Sequence, residues 1–314
     1  MRIVFMGTPE FAVPSLDKMV SEGFDVVACF TQPDRPAGRG NKLTPCPVKQ
    51  SAQAHGIDVF QFERVRRQAG LDAIRACKPD LIVTAAFGQI LSQKILDVPP
   101  MGVVNVHASL LPKYRGPAPI NRAIMAGESV TGITTMFTDI GIDTGDCILF
   151  RELEILPLET AGELSERLSV LGGETLIETL RLLQKGECPR IPQNESKASY
   201  QGMLTKELGE IDFTKSAREI EWLVRGLNPW PGAYTTFSDG TLKIWLARAT
   251  DEYAGNPGEV VLSSPKRGLF VACGGDAIEI LEMQAPSAKR MQAKQYLVGK
   301  PIAEGTVFGA KEEA

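Results

Sequence analysis

The sequence predicts an α/β protein: a doubly wound, Rossmann-like parallel sheet followed by a small β-barrel. Three observations carry this. Up to about residue 185, short apolar, β-branched runs alternate with amphipathic helical stretches, the pattern of a parallel sheet with helical crossovers. Beyond about residue 208 the pattern changes to one helix and several short alternating strands. These are separated by turn signals such as Ser238-Asp239-Gly240, Asn256-Pro257-Gly258 and Gly274-Gly275-Asp276. Between the two, residues 188–199 are polar, proline-containing and without apolar period, so they read as the start of a linker. The division is therefore 1–188, a linker at 189–207, and 208–314.

Residues 2–6 form the first strand. A helix follows over 8–20, with Thr8 as N-cap, Pro9 in its first turn, and Phe11, Leu16 and Met19 facing the core. Residues 25–31 are the second strand. The connection after it, residues 32–43, is long for a compact domain; it carries Arg35, Arg39 and Lys42 against one acid, Asp34. A helix over 48–55 ends at His55 before Gly56, where an imidazole suits the last carbonyls. Residues 57–60 and 80–85 are further strands with a helix at 71–77 between them. The run 102–106 is short, apolar and β-branched, as a buried parallel strand is. A strand at 147–155 and a helix at 160–185 complete the first part, and a helix at 217–227 opens the second. Trp230, between Pro229 and Pro231, reads as a buried anchor.

The 314 residues are 43% hydrophobic and 23% charged, ordinary for globular cores and enough for two domains. No basic-then-apolar leader and no apolar run of the ~20 residues that span a bilayer is seen, so a cytoplasmic protein is expected. The six cysteines are scattered without C-x-x-C spacing, and neither disulfides nor a metal site is expected. No sustained heptad is present, which fits a monomer. The net charge is −4, and residues 205–314 hold 13 basic and 15 acidic side chains, so RNA could be met only by a local patch. Besides Arg35, Arg39 and Lys42, the patches available are Lys266-Arg267 and Lys289-Arg290 with Lys294.

The chemistry concentrates in residues 105–116 and 142–146. Asn105, His107 and Asp143 supply an amide, an imidazole and a carboxylate, and His107 is one of two histidines in the chain. An imidazole exchanges protons near neutrality, a carboxylate orients it and keeps it basic, and an amide N–H stabilises a developing oxyanion. That set suits acyl transfer to an amine. His107 would stand at the carboxyl end of a strand, where open α/β sheets place ligands.

The order Asn-x-His, Ser109-Leu110-Leu111-Pro112, then Asp143-Thr144-Gly145 resembles the formyltransferases that use 10-formyltetrahydrofolate. The opening Gly7-Thr8-Pro9-Glu10-Phe11 resembles that of the methionyl-tRNA formyltransferases, and Asn228-Pro229-Trp230-Pro231-Gly232 their second, OB-like domain. The resemblance covers essentially the whole chain. It implies 10-formyltetrahydrofolate as co-substrate, with Phe87, Gly88, Gln89 and Ile90 and the Ser109–Leu110–Leu111–Pro112 loop lining its pocket. It implies initiator methionyl-tRNA as acceptor, with Arg35, Arg39 and Lys42 against the acceptor stem and a tRNA-binding role for 208–314. Arg115, a planar cation beside the site, is expected to meet phosphate. The alternative acceptor is an amino-sugar nucleotide, met by the same catalytic set; a non-catalytic nucleotide-binding protein would leave that set without a use.

Overall fold

The computed structural model describes residues 1–37, 42–237 and 240–309. It divides into one unit of residues 1–119, 130–154 and 165–201, and a second of residues 120–129, 155–164 and 202–314.

In the first unit β1 (Arg2–Gly7) leads through a 3-10 turn into α1 (Val13–Ser21), and β2 (Asp25–Thr31) follows. A two-stranded hairpin of β3 (Arg35–Ala37) and β4 (Lys42–Thr44) precedes α2 (Pro47–Ala54) and β5 (Val59–Gln61). Next come α3 (Gln68–Cys77), β6 (Leu81–Ala85), the single-turn α4 (Gln93–Leu96) and β7 (Val103–His107). After α5 (Pro119–Met125) the antiparallel strands β8 (Val130–Phe137) and β9 (Cys147–Glu154) lead to the long helix α6 (Ala161–Lys185). The sheet order is β5-β2-β1-β6-β7-β8-β9.

The first five strands of that order are parallel, and β8 and β9 are antiparallel additions at one edge. β7 is therefore parallel only on its β6 side, and β8 and α5 are elements the sequence pattern did not single out. Every residue of β6 is buried, and β1 is buried after its first residue, as expected for strands covered on both faces. The strand order reverses at β1: β2 lies on one side and β6 on the other, so the connections after β1 and β6 leave the sheet in opposite directions, the switch point at which open α/β sheets place ligands.

Thr8 does not cap a helix. Its hydroxyl donates to the Phe87 carbonyl and accepts from the Gln32 amide, both at 3.2 Å, tying together the chain just past β1, β2 and β6. The helix proper starts only at Val13, because Pro9 is extended at φ −80°, ψ 174° and a 3-10 turn intervenes. His55 does end α2, but its Nε2 pairs with Asp17 Oδ1 at 2.9 Å, a partner 38 residues away in sequence.

The second unit, which also holds residues 120–129 and so all of α5 but its first residue, contains α7 (Ala217–Gly226), whose Ser216 and Glu219 form a reciprocal capping box. The strands β10 (Ala233–Phe237), β11 (Gly240–Thr250), β12 (Val260–Ser264), β13 (Gly268–Ala272) and β14 (Ala277–Gln284) follow, ordered β10-β11-β14-β13-β12 in space and all antiparallel. A short β15 (Met291–Gln292) pairs β14 and runs into α8 (Ala293–Gly299). The last described residues reach both edges of this sheet. The Val260 amide donates to Thr306 O and the Phe308 amide to Gly258 O on the β12 side, while the Gly309 amide donates to Thr236 O on β10. The result is an incompletely closed, OB-like sheet around a core that includes Ile220, Val224, Leu242, Leu269, Val271, Ile280 and Phe308. Trp230 is 56% exposed and is no buried anchor: the Pro-Trp-Pro turn projects the indole outward.

Candidate active site

Asn105 and His107 are two residues apart on β7 and so share a face. Thr84 stands opposite Asn105 on β6, and its hydroxyl donates to Asn105 Oδ1 at 2.7 Å. That fixes the amide so that its Nδ2, which has no protein partner among the described residues, is the free donor.

His107 is buried, with a side-chain exposure of 7%. Its Nε2 lies 3.0 Å from the Tyr114 carbonyl, which can only accept, so the proton of the neutral ring is on Nε2 and Nδ1 carries the lone pair. Asp143 Oδ2 is 3.6 Å from Nδ1, beyond hydrogen-bond range but close enough to stabilise a protonated ring. The orientation of the imidazole thus comes from Tyr114, while the carboxylate acts through its charge. Asp143 Oδ2 itself accepts from the Gly116 amide at 2.8 Å.

How Asp143 arrives there is a matter of tertiary path. Phe137 ends β8 beside Val104, three residues before His107, so residues 138–146 must double back to bring the carboxylate to the imidazole. The turn is tight: Asp143 has φ 53°, and a Cβ on Gly145 would lie 1.9 Å from Phe137 O. The glycine of the Asp-Thr-Gly motif is a steric requirement of this turn.

The loop after β7 is rigid for the same kind of reason. Ser109 is fully buried and its hydroxyl donates to Lys113 O at 2.7 Å; Thr134 Oγ1 donates to Ser109 O and accepts from the Leu111 amide. Leu111 packs with Met136 and Cys147. Leu110 and Pro112, half-buried, are the more accessible members of this expected pocket wall. In the loop after β6, Phe87 is inside the core, Ile90 is 66% exposed, and Gly88 takes φ 77°. The Gln89 side chain is engaged internally: Oε1 accepts from the Val65 amide and Nε2 donates to Phe62 O, both at 2.7 Å. Gln89 and Ser109 therefore shape the loops from within, and only their backbones remain for a ligand.

Arg115 corrects an expectation. It is fully buried and all five of its N–H donors are engaged. Nε donates to Gln193 Oε1, Nη1 to Glu195 Oε2 and Tyr200 Oη, and Nη2 to Gln193 Oε1 and Glu195 Oε1, at 2.5–3.0 Å. These bonds hold the guanidinium in its charged form and the Glu195 carboxyl below its usual range. Nothing is left for a phosphate, because partners from residues 193–200 saturate the fork.

Arg35 is exposed and paired with Glu63 at 2.9 Å. Arg39 and the Lys42 side chain lie outside the described residues. The base of the hairpin is braced by Lys49, which meets Asp34 at 2.6 Å and Gln61 at 2.8 Å. Beside Glu63, the side chains of Arg64, Arg66 and Arg67 are exposed, a basic cluster whose only local signal is the run Arg64-Val65-Arg66-Arg67. The buried Val65, bonded to Gln89 through its amide, fixes this segment next to the loop after β6. Among the described residues no group of three or more acidic, histidine or cysteine side chains could hold a metal, and no helix is long and apolar enough to cross a membrane.

Comparison with known proteins adds three findings. Residues 1–180 match the formyl transferase family and residues 203–301 the formyl transferase C-terminal domain. The chain is 50% identical, over 98% of its length and 100% of the relative's, to a methionyl-tRNA formyltransferase of Acetivibrio thermocellus. It also has the fold of WlaRD, a sugar 3N-formyl transferase (TM-score 0.67, 19% identity, 93% of this chain and 98% of that one). HypX of Aquifex aeolicus in complex with tetrahydrofolic acid shares it as well (TM-score 0.63, 18% identity, 100% and 51%).

Proposed function

The chain belongs to the formyl transferase family, among the methionyl-tRNA formyltransferases, and on that premise we propose how its residues move the formyl group from 10-formyltetrahydrofolate to the α-amine of methionyl initiator tRNA. The amine attacks the formyl carbon, a C–N bond forms, and the carbonyl oxygen becomes an oxyanion. Asn105 Nδ2, left free by the Thr84 hydrogen bond, donates to that oxyanion. His107 takes the amine proton at Nδ1, where the Asp143 charge stabilises the resulting imidazolium. The bond to N10 then breaks, and N10 of the departing tetrahydrofolate receives the proton, so the proton count closes.

The folate pocket in this reading lies along the loops after β6 and β7, with Ile90, Leu110 and Pro112 as apolar contacts and the backbone of residues 87–90 facing the pterin edge. The exposed arginines of residues 64–67, with Arg35, Arg39 and Lys42, and the OB-like sheet of 208–314 meet the RNA. The enzyme acts in the cytoplasm, as a monomer.

The observation that carries the proposal is that Asn105 and His107 share a face at the carboxyl end of β7 and Asp143 is brought beside His107 there. The test is formyl transfer from 10-formyltetrahydrofolate to methionyl initiator tRNA, free methionine and an amino-sugar nucleotide in parallel. Transfer to the charged tRNA alone is expected. Transfer to the sugar would keep the catalytic set and overturn the acceptor.

A further inference from the structure

Residues 191–201, which read as linker in the sequence, are laid across the catalytic loops of the first unit and bonded to both. On one side the Ile191 amide and carbonyl pair with Cys147, each at 2.9 Å. On the other, Arg115 N donates to Ser199 O at 2.8 Å, Gln201 N to Arg115 O at 2.9 Å, and Tyr114 N to Ser199 Oγ at 2.8 Å. Gly116 takes φ 91°, and a Cβ there would lie 2.8 Å from Gln201 O, so the approach needs glycine.

Gln193 is the side chain in this segment that bonds both loops. Its Nε2 donates to Asp143 O and Gly145 O, both at 2.8 Å, and its Oε1 accepts from Arg115 Nε and Nη2. The amide orientation is unambiguous, since carbonyls only accept and a guanidinium only donates. The two loops it joins contain the groups that define the site: Tyr114 O holds the imidazole, and Gly116 N holds the Asp143 carboxylate. Tyr114 and Asp143 both adopt left-handed backbone, at φ 60° and 53°, a conformation costing ~1 kcal/mol or more that persists only under such restraint.

We propose that Gln193 is a positioning residue for formyl transfer, setting the separation of His107 Nδ1 and Asp143 by clamping their loops together through Arg115. This rests on the assignment of His107 and Asp143 as the working pair. Gln193 touches neither reacting group, so its loss acts on turnover and leaves substrate binding in place.

The test is Gln193→Glu, which keeps an acceptor for Arg115 and loses both donors to residues 143 and 145. Expected are a fall in kcat of about 10–100-fold with little change in either KM, and altered ring-nitrogen NMR shifts of His107. His55, the only other histidine, serves as the unchanged control in the same spectrum. Wild-type kcat and unchanged His107 shifts would overturn the proposal. Should that variant fail to fold, Gln193→Asn, one methylene too short to reach Arg115 and residues 143 and 145 at once, carries the same two readouts. His107→Ala, assayed alongside, separates the two failures: if it retains turnover, the catalytic assignment falls; if it abolishes turnover while Gln193→Glu is neutral, only the positioning role falls.

Discussion

Arg115 illustrates at the residue scale how burial decides what a cation does. With every donor engaged by Gln193, Glu195 and Tyr200, it fastens structure. Arg115→Met should lower stability by about 2–4 kcal/mol, measured by denaturant unfolding, because a buried hydrogen-bond network is broken. The salt dependence of RNA binding should stay the same; a reduced slope would return Arg115 to the RNA surface. His107→Ala, Asn105→Ala and Asp143→Ala should each reduce kcat with folate affinity retained, Asn105→Ala by roughly 10²–10³, the usual value of one oxyanion donor. Single-turnover kinetics with a folate titration checks this, and near-wild-type turnover of Asp143→Ala would remove that residue from the set. Burial pushes Cys147 up to about 11 and Cys273 up to about 12. A raised thiol pKa means less thiolate at a given pH, roughly one part in a thousand or below at pH 8. Neither cysteine should react with iodoacetamide in the native protein, as mass spectrometry of the alkylated peptides would read.

At the scale of elements, the β3–β4 hairpin and the segment of residues 62–67 after β5 are joined by the Arg35–Glu63 pair. Hydrogen bonds from Lys49 and Gln61 lower the Asp34 carboxyl below its usual range. A lowered carboxylate contributes stability above its unfolded pKa and loses it as pH falls through the folded one. Lys49→Met should therefore cost about 1 kcal/mol or less near neutrality, the pair being partly exposed. The difference from the unaltered chain should close in acid below ~4; a difference independent of pH would show that Lys49 acts by packing alone. Changing Arg64, Arg66 and Arg67 to Gln should flatten the salt dependence of tRNA binding, by ~0.7–0.9 in the log–log slope for each phosphate no longer neutralised. The KM for 10-formyltetrahydrofolate should not move, and an unchanged slope would mean these side chains are merely solvated. The elements themselves were largely legible. Continuous apolar runs mark β1, β2, β6 and β7, which lie inside the sheet, and the 3.6 period marks α3 and α6, which bury one face each. β8 escaped because its sequence, Val130–Phe137, mixes threonine and glycine with apolar residues, and those polar groups are satisfied only by tertiary partners such as Thr179 and Ser109.

For the whole molecule, a net charge of −4 means that association with RNA depends on where the cations stand. The two kinds of sheet follow from local pattern, since alternating and continuous apolar runs have different burial. The sequence also supplied the residue types of an acyl-transfer site in motifs specific enough to identify a family. Relations between segments distant along the chain exist only in the folded molecule. Asp143 reaches His107 because residues 138–146 double back, and Thr8 ties three strand ends. Residues 191–201 become a clamp because Arg115 offers a buried fork that their polar side chains alone can satisfy. A polar stretch without apolar period carries no local signal of docking. Its hydrogen-bond partners lie far earlier in the chain, from Cys147 back to Pro112, and the cost of leaving those partners unsatisfied exists only once the sheet has formed.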